Sequence, residues 1–165
     1  MTRSLLPCAA MTADRSYVAE NEAQSTRMRD LVGSMSDEEL AEPMPADWTV
    51  AGVLAHLAFW DQRVTTLVDR WGPDGNGTPP DSPGSYDEEA VDWINDAAKP
   101  LSLALPPRVA AQVALDAAAA VDARVAGLSD ELLAINEHTG LYINPARSEH
   151  RSEHLDEIEQ MRSRR

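Results

Sequence analysis

The stretch that most constrains the fold runs from residue 49 to residue 71. Its large apolar residues recur at helical spacing, which predicts one amphipathic helix. Thr49 can cap the first turn through its hydroxyl, and the pair Gly72–Pro73 predicts the end. His56 lies at the edge of the apolar stripe, roughly 80° from its centre, so its ring can lean into a core while one edge stays reachable. The apolar positions are Val50, Val53, Leu54, Leu57, Trp60, Val64, Leu67, Val68 and Trp71.

The rest of the chain has the same helical character. Further helices are predicted over residues 12–35, 87–98, 108–128 and from Asn144–Pro145 to about 164. The first has a weak polar middle at residues 21–25, and Pro100 is expected to end the second. The alternation typical of strands is nearly absent. We therefore predict an all-α, four-helix bundle with short extra helical turns, in which residues 1–165 form a single domain.

Three local segments interrupt this pattern. Residues 1–11 are expected to form a flexible tail. Ser36 and Glu39 form a capping box that predicts a short helical turn. Residues 72–85 are rich in Gly, Pro, Asp and Ser and show no periodicity, which predicts a flexible connection that contributes to the mouth of a site.

Charge and cysteine content narrow the class of function. The chain has 28 Asp and Glu against 14 Lys and Arg, a net charge of −14. This balance disfavours binding to nucleic acid and to anionic membranes. Cys8 is the single cysteine, so no intrachain disulfide is possible, and it has no activating neighbour that would make it a nucleophile. With no apolar run of about 18 residues, we expect a cytoplasmic protein.

The last predicted helix has an unusual inward face. Its large apolar residues all lie in its second half, and His150 and His154 continue their stripe toward the start of the helix, with Arg147 and Arg151 on the flank. Histidines at this spacing project to one side and can share a metal ion. Polar residues on an inward stripe need a partner. With His56 inward on another helix, three imidazoles can converge and leave one coordination position open.

Other interpretations of this segment are possible. It can be a solvated helix end rich in Glu, His and Arg. The string from His150 to His154 also fits the pattern of inverted zinc peptidases, but those take a third ligand from well downstream, and this chain ends at Arg165. Glu149 points away from His150 and is expected to be solvated. Glu153 is a weak candidate for a general base or for a partner of a histidine.

Two motifs together suggest a family. They are Trp48-Thr49 leading into Leu54-Ala-His56-Leu-Ala-Phe-Trp60-Asp61, and Glu149-His150-x-x-Glu153-His154-Leu155. In this helix order the chain resembles the DinB superfamily. That group includes YfiT-like metal-dependent hydrolases and the N-terminal domain of mycothiol-dependent maleylpyruvate isomerases.

The resemblance implies a four-helix bundle in which His56, His150 and His154 hold a divalent metal ion, with zinc or nickel preferred. It also implies a small-molecule substrate and a low-molecular-weight thiol such as mycothiol or bacillithiol as co-substrate. A homodimer is expected as well. The sequence shows no region that resembles the C-terminal substrate domain of the isomerase. We therefore do not expect maleylpyruvate isomerisation itself.

The remaining polar and aromatic residues carry weaker expectations. Asp61 is interpreted as a surface carboxylate, with orientation of an imidazole as the alternative. Trp60 and Trp93 are expected in the core, with a platform for a substrate as the alternative. Arg124 either meets an anionic substrate or extends along the surface. His138 has no partner at metal spacing and is expected to be structural.

Two functions follow from these observations. The first is a metal-dependent thiol transferase or isomerase, or a hydrolase, that acts on a small electrophile. The second is a non-catalytic dimeric bundle, linked to stress response, that binds a metal or a small molecule. A third hypothesis is a metal-free bundle in which the histidines are hydrogen-bonded to acidic residues.

Overall fold

A computed structural model describes residues 13–72, 86–138 and 143–164, and within these ranges the chain forms seven helices and one short sheet. The helices are α1 (Ser16–Gly33), α2 (Asp37–Leu40), α3 (Val50–Trp71), α4 (Glu88–Ala104), α5 (Pro107–Ala126), α6 (Asp130–His138) and α7 (Ser148–Ser163). The strands β1 (Pro43–Met44) and β2 (Trp48–Thr49) pair antiparallel, with Met44 opposite Trp48. The prediction of an all-α fold is confirmed.

The central helix α3 begins and ends where its sequence predicts. The Oγ1 atom of Thr49 accepts a hydrogen bond of 3.0 Å from the backbone N–H of Gly52, which caps the first turn. Gly72 follows the last turn with a φ of 82°, a left-handed conformation that favours glycine. Between these ends most of the helix is buried. The other predicted capping box, at Ser36 and Glu39, also forms, at the start of α2.

Four of the helices make the bundle. The most extensive contact is between α3 and α5. Helix α5 also packs against α1, α1 packs against α7, and α7 contacts α3, which closes the ring. The short helices α2 and α6 are the predicted extra turns. Helix α4 lies outside this ring, against α3, and Ser102 is its single buried residue.

The predicted end of α4 at Pro100 is wrong, because the helix continues to Ala104. A proline inside a helix removes one backbone N–H and crowds the carbonyl four residues earlier, here that of Asp96. Both Asp96 and Pro100 are exposed on the outer helix, so water can hydrogen-bond the carbonyl that lacks its helical partner. The exposed position of α4 explains why the proline is tolerated.

The buried apolar residues form two clusters at the two ends of α3. One contains the first part of the helix with residues of α1, α5 and α7, including Leu54, Leu57 and Leu155. The other contains the last part of α3 with the end of α5, including Trp71 and Val125. Polar residues are buried between the clusters, and these are described with the site below.

The last helix starts later than its sequence predicts, at Ser148 and not at Asn144–Pro145. The side chain of Asn144 accepts instead from the N–H of Ala146. The Oδ1 atom of Asn21, on α1, accepts from the N–H groups of Arg147 and Ser148 at 2.8 and 2.9 Å. The start of α7 is therefore determined by a cap from another helix. The capping residue, Asn21, belongs to the polar middle of α1, which the sequence predicts to be weak.

Two expectations concern residues outside the described ranges. The predicted tail of residues 1–11 lies there, with Cys8, and so do residues 73–85 of the predicted mouth. Of the helices in the described ranges, none has the length and apolar character needed to span a membrane.

Candidate metal centre

Three histidines from two helices meet at one end of the bundle. His56 comes from α3, and His150 and His154 come from successive turns of α7. One ring nitrogen from each lies within 4.8 Å of the others, and the ring centroids are 4.9 to 5.2 Å apart. We call these three residues the histidine cluster. The helical spacing of residues 150 and 154 brings their rings together, and the inward position of residue 56 supplies the third.

The spacing of the nitrogens fits a small divalent ion. The Nε2 atoms of His56 and His150 lie 3.2 Å apart. Two nitrogens bound to one tetrahedral zinc ion at about 2.0–2.1 Å would be separated by about 3.3 Å. Three imidazoles are a donor set suited to zinc, nickel or another late first-row ion, and they leave a fourth position open. The residues present therefore fit the metal that the sequence analysis expects.

The surroundings of the cluster favour the neutral form of two of its rings, those of His56 and His150. Burial, with a contribution from His154, lowers the pKa of His56 from 6.5 to about 4. Burial lowers the pKa of His150 to about 2, aided by the two other histidines and by Arg147 and Arg151. A neutral imidazole keeps a lone pair on one nitrogen, which is the form that binds a metal ion.

A carboxylate orients the most exposed ring of the cluster. The Nδ1 atom of His154 lies 2.9 Å from Oε2 of Glu157, one turn further along α7. That contact leaves the Nε2 atom of His154 available as a ligand atom. The partner expected from the sequence is Glu153, and Glu157 is not among the expected residues. Glu153 borders the same cavity, but the spacing from residue 154 to 157, which also places two side chains on one helix face, was the signal for the observed contact.

A buried set of charges lies directly beneath the cluster. Asp61 of α3 accepts from Nε of Arg147 at 2.9 Å and from Nε and Nη2 of Arg151 at 3.2 and 2.9 Å. The side chains of Arg151 and Asp61 are 0% and 2% exposed, which excludes water from the pair. Asp61 is therefore neither the predicted surface carboxylate nor a hydrogen-bond partner of a histidine, because arginines of α7 occupy both of its oxygens.

The same guanidinium of Arg151 reaches a second carboxylate. Its Nη1 atom donates to Oδ2 of Asp122, on α5, at 2.9 Å and to Oγ of Ser25 at 2.8 Å. Ser25 in turn donates to Asp122 at 2.6 Å. We call Asp61, Asp122, Arg147 and Arg151 the ion cluster. Its two positive and two negative charges balance, and three of the four side chains are buried, with Asp122 the exception at 20% exposed.

The histidine cluster opens into a cavity of about 1140 Å³. Trp48 and Trp60 form aromatic parts of its wall, and both rings meet His56 edge to face, at 5.7 and 6.5 Å between centroids. Trp60, expected in the core, is only partly buried, because its face borders this cavity while its Nε1 donates to Asn95 at 3.0 Å. The cavity is large enough for a small substrate beside the histidines.

Two further segments complete the wall. Helix α4 contributes a polar stripe at Asp92, Asn95, Asp96 and Lys99. The turn between β1 and β2 contributes Ala46, whose φ is 54°, and Nζ of Lys99 donates to its carbonyl at 2.6 Å. A positive φ is unfavourable for alanine, so the lysine helps to hold a strained turn at the cavity rim.

Several residues selected from the sequence lie away from the cavity. Arg124 pairs with Asp69 at 2.9 Å on the surface and does not line this cavity, which favours its interpretation as a surface residue. Trp93 is 72% exposed, because α4 lies outside the bundle ring, so its prediction as a core residue is wrong. His138 ends α6 and is exposed.

Comparison with known proteins gives one match. The family model described as the mycothiol maleylpyruvate isomerase N-terminal domain matches residues 22–158. Comparisons with curated proteins and with solved structures found no match. The matched range covers most of the chain and contains all three residues of the histidine cluster. The chain therefore belongs to the mycothiol maleylpyruvate isomerase N-terminal domain family, within the DinB-like superfamily.

Proposed function

We propose that the protein is a divalent-metal-dependent enzyme that uses a low-molecular-weight thiol of the mycothiol type, either to transfer it to a small electrophile or to isomerise that molecule by adding and then releasing the thiol. The observation that carries the proposal is the position of three imidazoles at the wall of one large cavity. Membership of a family named for a mycothiol-dependent isomerase supports the choice of thiol.

The three histidines would hold the ion, with zinc or nickel preferred. When bound, such an ion supplies Lewis acidity, which lowers the pKa of a thiol or of water at the open position. Glu157 keeps the ring of His154 turned toward the cluster. The rings of Trp48 and Trp60 flank His56 and limit the access of water to it.

The side chains of the cavity offer further roles in this reaction. Glu153 lies in the wall beside the histidines and is the weak candidate for a base that takes a proton from the thiol. The same arrangement would serve a hydrolase if water took the place of the thiol. The polar stripe on α4 faces substrate groups that do not react.

Metal content is the first test. Untagged protein should contain close to one equivalent of zinc or nickel by plasma mass spectrometry. The variant with His150→Ala and His154→Ala should lose it. His138→Ala removes an exposed histidine of α6 and should retain the metal, which makes it the matched control. Equal, negligible metal in wild type and double variant would refute the metal centre.

Thiol transfer is the second test. Metal-loaded protein should accelerate the reaction of mycothiol with an electrophile such as 1-chloro-2,4-dinitrobenzene, and the double histidine variant should not. Full metal content without acceleration by mycothiol, bacillithiol or glutathione would contradict the transferase. That outcome would favour the hydrolase or the non-catalytic, dimeric metal-binding bundle, which hydrolysis assays and measurement of oligomeric state would separate.

A further inference from the structure

We propose that Asp61 is a positioning residue for the histidine cluster, and that it acts through Arg147 and Arg151. This inference rests on the proposed metal centre and adds a role for a residue that does not touch the metal. Its basis is the arrangement of one carboxylate between the two helices that carry the histidines.

The sequence places the two arginines on either side of a histidine. Arg147 lies three residues before His150, and Arg151 lies one residue after it. Both donate to Asp61, which follows His56 on α3 by five residues. One carboxylate thus links the helix that carries His56 to both flanks of His150.

The other contacts of α7 do not fix this relation equally well. Helix α7 packs more extensively against α1 than against α3, and its start is capped from α1 by Asn21. Those contacts hold the helix in the bundle. The relation of His150 to His56 depends on the α3–α7 contact, where the link through Asp61 is the strongest polar interaction. A charge-assisted pair of this kind adds orientation as well as attraction.

The energy of burial supports a role beyond stability. Arg151, Asp61 and Arg147 have side chains that are 0%, 2% and 7% exposed. Moving such charges out of water costs much of what their attraction returns, and apolar residues often stabilise a core as well. A buried ion pair is therefore better explained by the geometry that it imposes, which here is the rotation of α7 about its axis.

The chain contains a matched control for this hypothesis. Asp122 accepts from the same guanidinium of Arg151, at the same distance of 2.9 Å, but it comes from α5, which carries none of the three histidines. Asp61→Asn and Asp122→Asn each remove one negative charge from the ion cluster. Only Asp61→Asn weakens the link between the two helices of the histidine cluster, because it removes the negative charge and one of the two acceptor oxygens.

The experiment is a titration of metal-free protein with Co²⁺, followed by visible absorption, because the ligand-field bands of this ion report coordination geometry. Asp61→Asn should weaken Co²⁺ binding about 10- to 100-fold, the range for residues that orient metal ligands, and should alter the bands. Asp122→Asn should leave the bands unchanged. Thermal unfolding of the metal-free variants, measured in parallel, reports the structural effect of each change.

A second variant separates position from charge and remains usable if Asp61→Asn does not fold. Arg147→Gln removes a positive charge near His150, so electrostatics alone would make Co²⁺ bind more tightly. Loss of positioning would make it bind more weakly, and weaker binding with altered bands is the result we expect.

The outcomes that overturn the inference are distinct from those that overturn the metal centre. Two outcomes would refute the positioning role alone, provided that wild type binds Co²⁺ normally. One is identical bands in Asp61→Asn and Asp122→Asn, and the other is tighter or unchanged binding in Arg147→Gln. Failure of wild type to bind Co²⁺ would refute the metal centre and the positioning role with it.

Discussion

The histidine cluster and the ion cluster are adjacent sets of polar side chains that share α3 and the start of α7, with Asp122 of α5 added in the ion cluster, yet they respond to burial in opposite ways. The ion cluster keeps its charges and pairs each of them inside the core. In the histidine cluster His56 and His150 are instead neutral, since burial holds their pKa values below the usual range. Paired charges interact with one another, whereas neutral imidazoles at a cavity keep a lone pair that is free to bind a ligand. The difference separates a structural cluster from one that can bind a ligand.

The largest effect should follow from breaking the ion cluster. Arg151→Ala leaves buried Asp61 with Arg147 as its remaining arginine and leaves Asp122, which is 20% exposed, with none. We expect a loss of about 3 kcal/mol in the free energy of unfolding, the low end of the range for breaking a buried ion pair. Urea denaturation of metal-free protein measures it. The matched control is Arg124→Ala, which removes an exposed pair with Asp69 of the same 2.9 Å length and should cost at most about 1 kcal/mol. Equal effects of the two changes would contradict the comparison.

An intermediate effect should follow from protonation of His56 and His150 over the first pH unit below 6.5. Because the folded-state pKa values lie below the unfolded value of 6.5, the unfolded chain binds more protons as the pH falls. Stability should therefore be complete above pH 6.5 and fall below it, by up to about 1.4 kcal/mol per pH unit for each histidine. For His56 the loss extends to about pH 4.

Denaturation of metal-free protein at a series of pH values checks this dependence. A double variant with His56→Gln and His150→Gln should flatten the profile between pH 6.5 and 4. His138→Gln, at the exposed end of α6, should not change it. A wild-type profile that is flat over that interval would show that the cluster tolerates charge, and the contrast with the ion cluster would fail.

The smallest effect should come from Glu157, the carboxylate that contacts His154. Glu157→Gln weakens the acceptor that orients His154, and we expect a decrease in metal affinity of about tenfold with little change in stability, since Glu157 is exposed. Glu153→Gln removes the same charge from the same helix and cavity wall without that contact. Competition with a metal-binding dye would measure both variants, and equal decreases would show that charge and not orientation is responsible.

Sequence reasoning succeeded where the signal is local. The spacing of His150 and His154 and the cap at Thr49 each involve residues within one or two turns, so helix geometry alone determines them. Glu157 was within reach of the same reasoning, because it follows His154 by three residues. The prediction that the rings of His150 and His154 meet that of His56 followed from the inward faces of the two helices that carry them.

The errors share a different origin. Asp61 finds its arginines 86 and 90 residues away, and only the rotation of α7 against α3 decides that contact. The start of α7 depends on Asn21, which overrides the local signal at Asn144–Pro145. Trp93 was assigned to the core because α4 is amphipathic, but the position of α4 outside the ring is set by how the other helices pack. Tertiary packing, and not local preference, determined all three.

The cap from Asn21 has a consequence for the order in which the molecule assembles. The capped N–H groups lie 126 and 127 residues along the chain from the side chain that accepts them. Contacts between such distant segments form late, because the intervening chain must first lose much of its conformational freedom. The first turn of α7, which carries His150, therefore gains its support only when the two ends of the chain meet. A metal ion would therefore bind at the histidine cluster of the completed fold and would bind partly folded chains more weakly.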